Sequence, residues 1–322
     1  MSITRHCVEL LEAGSRYHVR YGDHLANHLP MVLIALDRLG AAPLRLKYTF
    51  DRSVPHLQPR PASPVEQIAD PARGRNREDL FPSVLNYYER QLRQLGIAKC
   101  LQQELPPLLP SISTAAFHGL IRTAYGVDAR HLEEVAMGLA YWTLDYHELG
   151  SSNEKVAASA SEILTSVGNK FADIPLAPGN IADHMQSVTG QPGWMDTPIQ
   201  PQSIALEDIA DVAIHAYLGT GDFTLLHGVT GCHALRLILP YCDNREEALR
   251  YFWQGLVIAY LSTGPKNIQP VEKSEVSAIS QRQTEIVEKA LHSDDDHVIK
   301  LAYSALEEFH YYGKSEYLQV LR

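Results

Sequence analysis

The sequence has no run of apolar residues long enough to cross a bilayer, which argues against a membrane-spanning protein. Its first residues lack an apolar stretch followed by a small-residue cleavage site, so we expect no secretory signal. The four cysteines lie far apart without a CxxC pair, a distribution typical of a reducing compartment. Together these absences predict a cytoplasmic protein with no membrane partner.

Basic residues are fewer than acidic ones. The sequence has 28 Lys and Arg residues against 38 Asp and Glu residues, for a formal net charge of −10 at pH 7. Phosphate binding requires a basic surface, so we expect no nucleic-acid partner. Hydrophobic residues make up 45% of the 322 positions and charged residues 20%. This composition is typical of a globular protein with a sizeable core.

The common phosphate, dinucleotide and hydrolase motifs are also missing. No GxGxxG follows a strand pattern, and there is no GxxxxGK[ST], GxSxG or HExxH. These absences argue against a Rossmann cofactor site, a P-loop, an α/β-hydrolase and a zinc protease. If the protein is an enzyme, its chemistry must come from histidine, carboxylate, lysine or a metal.

Helical periodicity dominates what is present, and alternating strand patterns are absent. We therefore predict an all-α fold, a single large multi-helix domain. The predicted helices cover residues 23–39, 78–95, 131–146, 206–217, 223–241, 246–261, 277–291 and 296–311.

Two proline-rich stretches, residues 51–77 and 173–204, interrupt this pattern. Each carries five prolines and is predicted to be an irregular connector. Connectors of this length either mark a domain boundary or cover an active site.

Histidine is abundant, with fifteen residues, and imidazole serves both as metal ligand and as proton carrier. His24 and His28 have the i,i+4 spacing that places two side chains on one helical face, as a pair of metal ligands requires. The alternative is one core-facing histidine and one exposed partner of Asp23. Spacing alone leaves both interpretations open.

His118 and His227 each lie in a nearly apolar helical run and are each followed by glycine. A buried imidazole needs a hydrogen-bond partner or a ligand, because leaving it unpaired costs about 1–3 kcal/mol. The glycines, Gly119 and Gly228, indicate close packing or space for a ligand. His233 is six residues after His227, so we expect it on another face with a local packing role.

Residues 293–300 (SDDDHVIK) combine an acidic run with His297 and Lys300. The acidic residues suit a helix N-cap and the positive end of the helix dipole. A lysine held in apolar surroundings has a lowered pKa and becomes a nucleophile or base. A neutral lysine can also react with CO₂ to give a carbamate, an anionic oxygen ligand. The alternative for Lys300 is that its amine reaches solvent.

Five of these segments, in order, resemble the questin oxidase-like family. The resemblance covers the chain from about residue 17 to residue 308, which implies one family unit. The matching segments are NHLPM at 27–31, FHGLIR at 117–122, LAYW at 139–142, LHGVTG at 226–231 and DHVIK at 296–300.

The resemblance implies an oxygen-dependent oxidoreductase that acts on aromatic polyketides, by ring opening or Baeyer–Villiger-like oxygen insertion, without the usual flavin-binding fold. It selects His28, His118, His227 and His297 with Lys300, since these positions match the family segments. His24 does not match. Some members carry a histidine where this chain has Met31, which bears on whether their pocket and ligand set apply here.

Three hypotheses follow. In the first, a mononuclear non-haem Fe(II) is bound by these four histidines and a Lys300 carbamate, with O₂ as co-substrate, an aromatic small molecule as substrate, and Lys300 and His118 as catalytic residues. In the second, the oxygenase is metal-free or NADPH-assisted, and His118 or His227 deprotonates a phenolic substrate. In the third, the chain is a non-catalytic helical protein that binds a small molecule.

Four further residues, Arg122, Tyr125, Tyr141 and Trp142, are near His118 in sequence or share the family segments. Aromatic side chains suit a flat aromatic substrate, although their commoner place is the core. Arg122 would pair with a buried carboxylate or contact an anionic substrate, and the sequence does not choose between them.

Overall fold

The fold, in a computed structural model that describes residues 2–62, 64–264 and 279–321, is predominantly helical. The all-α prediction is confirmed. Within the described residues, no helix combines the length and hydropathy that a membrane span requires. The α-helices are α1 (Arg5–Gly14), α2 (Leu29–Arg38), α3 (Pro43–Ser53), α4 (Phe81–Glu104), α5 (His118–Ala129), α6 (Leu132–Leu144), α7 (Ala160–Lys170), α8 (Ile181–Thr189), α9 (Leu206–Thr220), α10 (Phe223–Ile238), α11 (Arg245–Leu261), α12 (Ile279–His292) and α13 (Asp296–Tyr312).

In the described part of the chain, the strands are four two-residue segments, and Tyr17 and Pro59 form an isolated bridge. Strands β1 (Arg20–Tyr21) and β2 (Leu25–Ala26) form an antiparallel hairpin before α2. Strands β3 (Lys155–Val156) and β4 (Gln200–Pro201) pair in parallel. The first pair matters for the site, because it positions the chain that leads into α2.

The centre of the molecule is formed by helices that pack at very short distance across glycines. A Cβ atom on Gly138 of α6 would lie 2.5 Å from the backbone nitrogen of Thr123 in α5. A Cβ atom on Gly119 would lie 2.8 Å from the Cα of Trp142. Gly228 of α10 packs in the same way against the side chain of Leu256. Close packing therefore explains the glycines that follow His118 and His227.

One contiguous hydrophobic cluster runs from Ile3 near the start of the chain to Val320 near its end. Buried side chains of α2, α5, α6, α10, α11 and α13 all contribute to it. The cluster is compatible with a single domain, and that organisation stays a prediction.

The predicted helix over residues 23–39 is wrong in its first third. The hairpin occupies its start, with positive φ angles of 54° at Gly22 and 56° at His24, and α2 begins only at Leu29. Pro30 lies in the first turn, where a missing amide hydrogen costs nothing. His24 and His28 therefore do not share a helical face, and the i,i+4 interpretation is wrong.

The later helices begin and end close to the predicted positions, although residues 277 and 278 lie outside the described part of the chain. Helix α4 continues past its predicted end at Leu95, with non-helical backbone at Gly96, where φ is 71°. Residues 173–204, predicted to be irregular, contain α8, so that prediction is wrong in part. The described residues of 51–77 contain the end of α3 and short 3₁₀ turns after it.

A left-handed turn precedes α5. Ala115, Ala116 and Phe117 have φ angles of 47°, 53° and 67°, which L-residues rarely adopt, and the helix starts at His118. The Phe117 ring holds the turn in place by packing against Phe252 at a centroid distance of 5.0 Å. Glycines make room for this ring, since a Cβ on Gly255 would lie 3.2 Å from it.

Candidate functional site

Four histidine rings from four separate segments of the chain meet in one cluster. The Nε2 atoms of His28 and His118 are 2.8 Å apart, and their rings stack at a centroid distance of 4.8 Å. The ring centroids of His297 and His28 are 4.7 Å apart, and those of His227 and His118 are 5.0 Å apart. His227 and His297 close the set at 5.3 Å. The four histidines selected from the sequence are therefore mutual neighbours.

Local structure explains where each ring lies. His28 is the N-cap residue of α2, His118 is the first residue of α5, and His227 lies in the second turn of α10. His297 follows the N-cap Asp295 of α13, whose side chain accepts a hydrogen bond from the His297 backbone amide at 2.8 Å. Three of the four rings are thus at or near helix starts, where unpaired amide groups make the local field positive.

The Nδ1 atom of each ring faces an oxygen. His118 Nδ1 donates to the Ala115 carbonyl at 2.6 Å, and His227 Nδ1 donates to the Phe223 carbonyl at 3.0 Å. The Nδ1 of His28 lies 3.7 Å from an Asp296 carboxylate oxygen. His297 Nδ1 lies 3.4 Å from an oxygen of Asp295. This arrangement turns the Nδ1 atoms toward protein oxygens, as in histidine metal sites, while the Nε2 atoms of His28 and His118 face each other.

Lys300 is buried close enough to the four histidines to affect their pKa values, with 1% of its surface exposed, so the alternative in which its amine reaches solvent is wrong. Burial lowers the pKa of Lys300 to about 7, although the carboxylates of Asp296 and Asp295 act in the opposite direction. At neutral pH a substantial fraction of this amine is therefore unprotonated, as a base, nucleophile or CO₂ acceptor must be.

The histidines are kept neutral by their surroundings. Burial, and then the Lys300 ammonium, lower the pKa of His28, His118 and His227 well below the usual value. The same two causes lower the pKa of His297 to about 4. Neutral imidazole is the form that binds a metal or accepts a proton, so the cluster is in its reactive state at neutral pH.

The cluster forms part of the wall of a cavity of about 1230 Å³. This volume exceeds the roughly 300–1,000 Å³ of common ligand pockets, so a molecule of several fused rings has room. Phe223 lies against two of the rings, at 5.1 Å from His227 and 4.5 Å from His297, and gives the site an apolar surface. Other lining residues are Arg20, His24, Tyr141, Asp145, His147 and His184.

Helix α3 fixes the loop that leads into α13. The Arg45 guanidinium donates to the Ser293 carbonyl, and Arg52 donates to the Asp294 carbonyl at 2.6 Å. The Tyr48 hydroxyl donates to the Asp294 carboxylate at 3.0 Å. These contacts hold the loop that precedes α13 and His297. The acidic run therefore anchors this loop to α3 in addition to capping α13.

The donor types of the cluster suit a non-haem metal, with four neutral imidazoles and a lysine able to become an anionic oxygen donor. Within residues 2–62, 64–264 and 279–321, however, no group of three or more His, Cys, Asp and Glu side chains has an arrangement that could hold a metal ion. The support for a metal is therefore the chemistry of the donors and their fixed Nδ1 atoms.

Several residues singled out in the sequence lie elsewhere. His233 donates to Glu308 of α13 at 2.7 Å, a long-range buried contact where a local one was expected. Arg122 forms a buried ion pair with Glu134 at 2.9 Å, which decides between its two predicted roles. Trp142 is a core residue, and His24 lines the cavity outside the ring cluster.

Three contributors were missed as site residues. Phe223 starts α10 and gave no signal beyond its helical position four residues before His227. Asp296 was interpreted only as a helix-start acid, although its position just before His297 was visible. Asp145, which lines the cavity, ends α6 and is recognisable only from its three-dimensional contact with Arg20 at 2.7 Å.

Comparison with known proteins identifies the family of the chain. No curated protein matches the chain. The profile of the Questin oxidase-like family matches residues 25–305, which includes all four histidines and Lys300. Since this match covers well over half of the sequence, the chain belongs to the Questin oxidase-like family.

Proposed function

We propose that this protein is an oxygen-dependent oxidoreductase that oxidises, or opens a ring of, an aromatic polyketide- or quinone-type small molecule at the histidine cluster. Family membership supports an oxidoreductase. The observation that carries the finer proposal is the meeting of four neutral imidazoles on the wall of one large cavity, with buried Lys300 close enough to lower the pKa of each.

In the first form of the proposal, His28, His118, His227 and His297 hold a mononuclear iron(II), with Lys300 contributing an oxygen as its carbamate. Bound iron supplies the one-electron chemistry that relieves the spin barrier between O₂ and an organic molecule. The carbonyls of Ala115 and Phe223 keep two of the rings in one tautomer and orientation.

Other residues prepare the cavity for the reaction. Phe223 shields the rings of His227 and His297 from water on one side. The Lys300 amine, partly unprotonated near pH 7, forms the carbamate when its nitrogen bonds to the carbon of CO₂ and releases one proton. Asp295 and Asp296 give this region the negative charge that offsets the ammonium before that step.

A second form needs no metal and is favoured by the tautomer of His118. Because its Nδ1–H donates to the Ala115 carbonyl, its Nε2 carries a lone pair. That lone pair faces His28 Nε2 at 2.8 Å and accepts a phenolic proton when the substrate replaces this contact. The resulting electron-rich anion would react with O₂ directly or with the help of NADPH. This form predicts turnover that chelators do not affect.

Oxygen consumption by the purified protein tests the proposal, with 1,8-dihydroxyanthraquinone as the probe and with or without NADPH. Elemental analysis of the same preparation then separates the two forms. Iron at near-unit stoichiometry, with activity lost on chelation and restored by iron(II), supports the first. Turnover without iron supports the second. No oxygen consumption with any of a panel of polycyclic phenols and quinones would contradict both and favour a non-catalytic binding protein.

A further inference from the structure

Tyr141 of α6 has a buried hydroxyl that pairs with none of the described residues. The residue is 1% exposed and lines the cavity, and within the described residues its oxygen makes no hydrogen bond. Buried polar atoms in native structures are nearly always paired, and those that are not call for a ligand or water. The hydroxyl therefore indicates a partner that occupies the cavity.

Four other buried tyrosines of this fold have paired hydroxyls, which sets Tyr141 apart from them. The Tyr88 hydroxyl bonds to Thr143 at 2.8 Å, Tyr87 to Glu104 at 2.8 Å, Tyr125 to Ser304 at 3.3 Å and Tyr303 to Asp128 at 3.0 Å. Tyr312 shares the lack of a partner but does not line the cavity.

The surroundings of Tyr141 keep it a donor. Burial, followed by the nearby Asp145 carboxylate, raises the pKa of its hydroxyl well above the usual value, while Arg20 and Arg122 act against that rise. The proton stays on the oxygen throughout the neutral range. Asp145, the C-cap residue of α6, is itself paired with Arg20, which leaves the Tyr141 hydroxyl free to bind another group.

We propose that the Tyr141 hydroxyl donates a hydrogen bond to an oxygen of the ligand in the cavity, a carbonyl or phenolic oxygen on an aromatic ring system. Tyr141 would thereby orient the ligand against the histidine cluster and select oxygen-bearing ring systems over plain hydrocarbons. This inference rests on the proposed function for the nature of the ligand. It assigns Tyr141 a positioning and specificity role, distinct from that of the histidines.

The test compares Tyr141→Phe with Tyr88→Phe. Each substitution removes one buried hydroxyl, from α6 in the first variant and, in the second, from the α4 tyrosine that bonds to Thr143 of α6. Affinity for 1,8-dihydroxyanthraquinone is measured by fluorescence titration under nitrogen, with anthracene as the oxygen-free probe, and Tm is measured in parallel. We expect Tyr141→Phe to weaken binding of the quinone about tenfold, which corresponds to one lost hydrogen bond, with unchanged anthracene binding and an equal or higher Tm. Tyr88→Phe should lower Tm and leave both affinities unchanged.

Equal quinone affinities in the wild type and Tyr141→Phe, or a wild type that binds no quinone, would overturn the inference. A decrease in Tm for Tyr141→Phe as large as that for Tyr88→Phe would also overturn the inference, because it would show that the hydroxyl has a structural partner. Since the titration excludes oxygen, it does not depend on turnover. Binding without oxygen consumption would contradict the proposed function alone, and oxygen consumption with equal affinities would contradict the role of Tyr141 alone.

Discussion

The Nε2 atoms of His28 and His118 lie 2.8 Å apart, although 90 residues separate them in the chain. Two neutral imidazoles at this distance share a proton or turn toward a common partner. The His118 Nδ1–H is already engaged by the Ala115 carbonyl, so its Nε2 must act as the acceptor of the pair. This relationship makes His118 the most informative position to substitute.

His118→Gln should lower oxygen consumption by about 10²-fold or more, because glutamine keeps much of the size but lacks a basic ring nitrogen. His215→Gln is the matched control, since His215 Nδ1 also donates to a backbone carbonyl, that of Asp211 at 2.7 Å, but lies outside the cavity. Steady-state rates with the probe quinone measure both. Equal activity of the two variants would remove His118 from the site.

Lys300→Met should abolish oxygen consumption while leaving the free energy of unfolding unchanged or higher. The substitution removes an amine that burial disfavours in its charged form, and methionine fills much of the space. Lys99→Met, at an exposed position of α4, should change neither quantity. Urea denaturation and oxygen uptake provide the two measurements. A strongly destabilised but active Lys300→Met protein would show that the amine has a structural role.

Asp145 should make stability depend on pH between about 4 and 6. Burial raises its pKa to about 6, with Glu78 in the same direction and Arg20 and His24 against it. The folded state therefore binds the proton more tightly than the unfolded state, and this contribution to stability is lost as pH rises through the window. By linkage the loss amounts to roughly 2–3 kcal/mol.

The difference in unfolding free energy between the wild type and Asp145→Asn isolates this contribution, because the amide does not titrate. We expect the unfolding free energy of Asp145→Asn to rise relative to that of the wild type from pH 4 to pH 6. Asp51→Asn, at an exposed site, is the control for the loss of one carboxylate charge. A pH-independent difference for Asp145→Asn would contradict the raised pKa.

Ala115→Gly should stabilise the protein, because Ala115 holds a left-handed conformation with φ of 47°. Relief of about 1–2 kcal/mol of steric cost outweighs the roughly 0.4–1 kcal/mol gained by the unfolded chain. Ala98→Gly in α4, also at a non-buried alanine, should instead destabilise by about 1 kcal/mol. Denaturant midpoints compare the two, and a loss of stability in both would show that the turn carries no strain.

Gly138→Ala should destabilise by about 1–3 kcal/mol, because its new Cβ would lie 2.5 Å from the Thr123 backbone nitrogen and push α5 and α6 apart. Gly190→Ala serves as the control, since its nearest neighbour would be at 3.7 Å and its φ is −80°. Thermal unfolding separates the two variants. Similar melting temperatures would mean that the helix pair yields easily at this contact.

The helical fold could be predicted because apolar periodicity is a local property of the sequence. The four histidines and Lys300 were selected by their positions in segments that resemble the family. The sequence could not show that His24 leaves the helix, since the hairpin depends on the tertiary placement of Gly22. The left-handed turn before His118 was equally hidden, because alanine and phenylalanine do not favour it and only the packing of Phe117 imposes it. The unpaired hydroxyl of Tyr141 is a property of the assembled cavity alone.

The five clustered groups come from α2, α5, α10 and α13, between positions 28 and 300 of the chain. No contiguous fragment shorter than this span contains all five groups. No single one of the four helices carries enough of them to form the cluster. Ring proximity therefore arises only after the most distant segments have docked, which makes it a late event in folding. Recovery of oxygen consumption during refolding should lag behind recovery of helical circular dichroism, and its rate should report the final docking step.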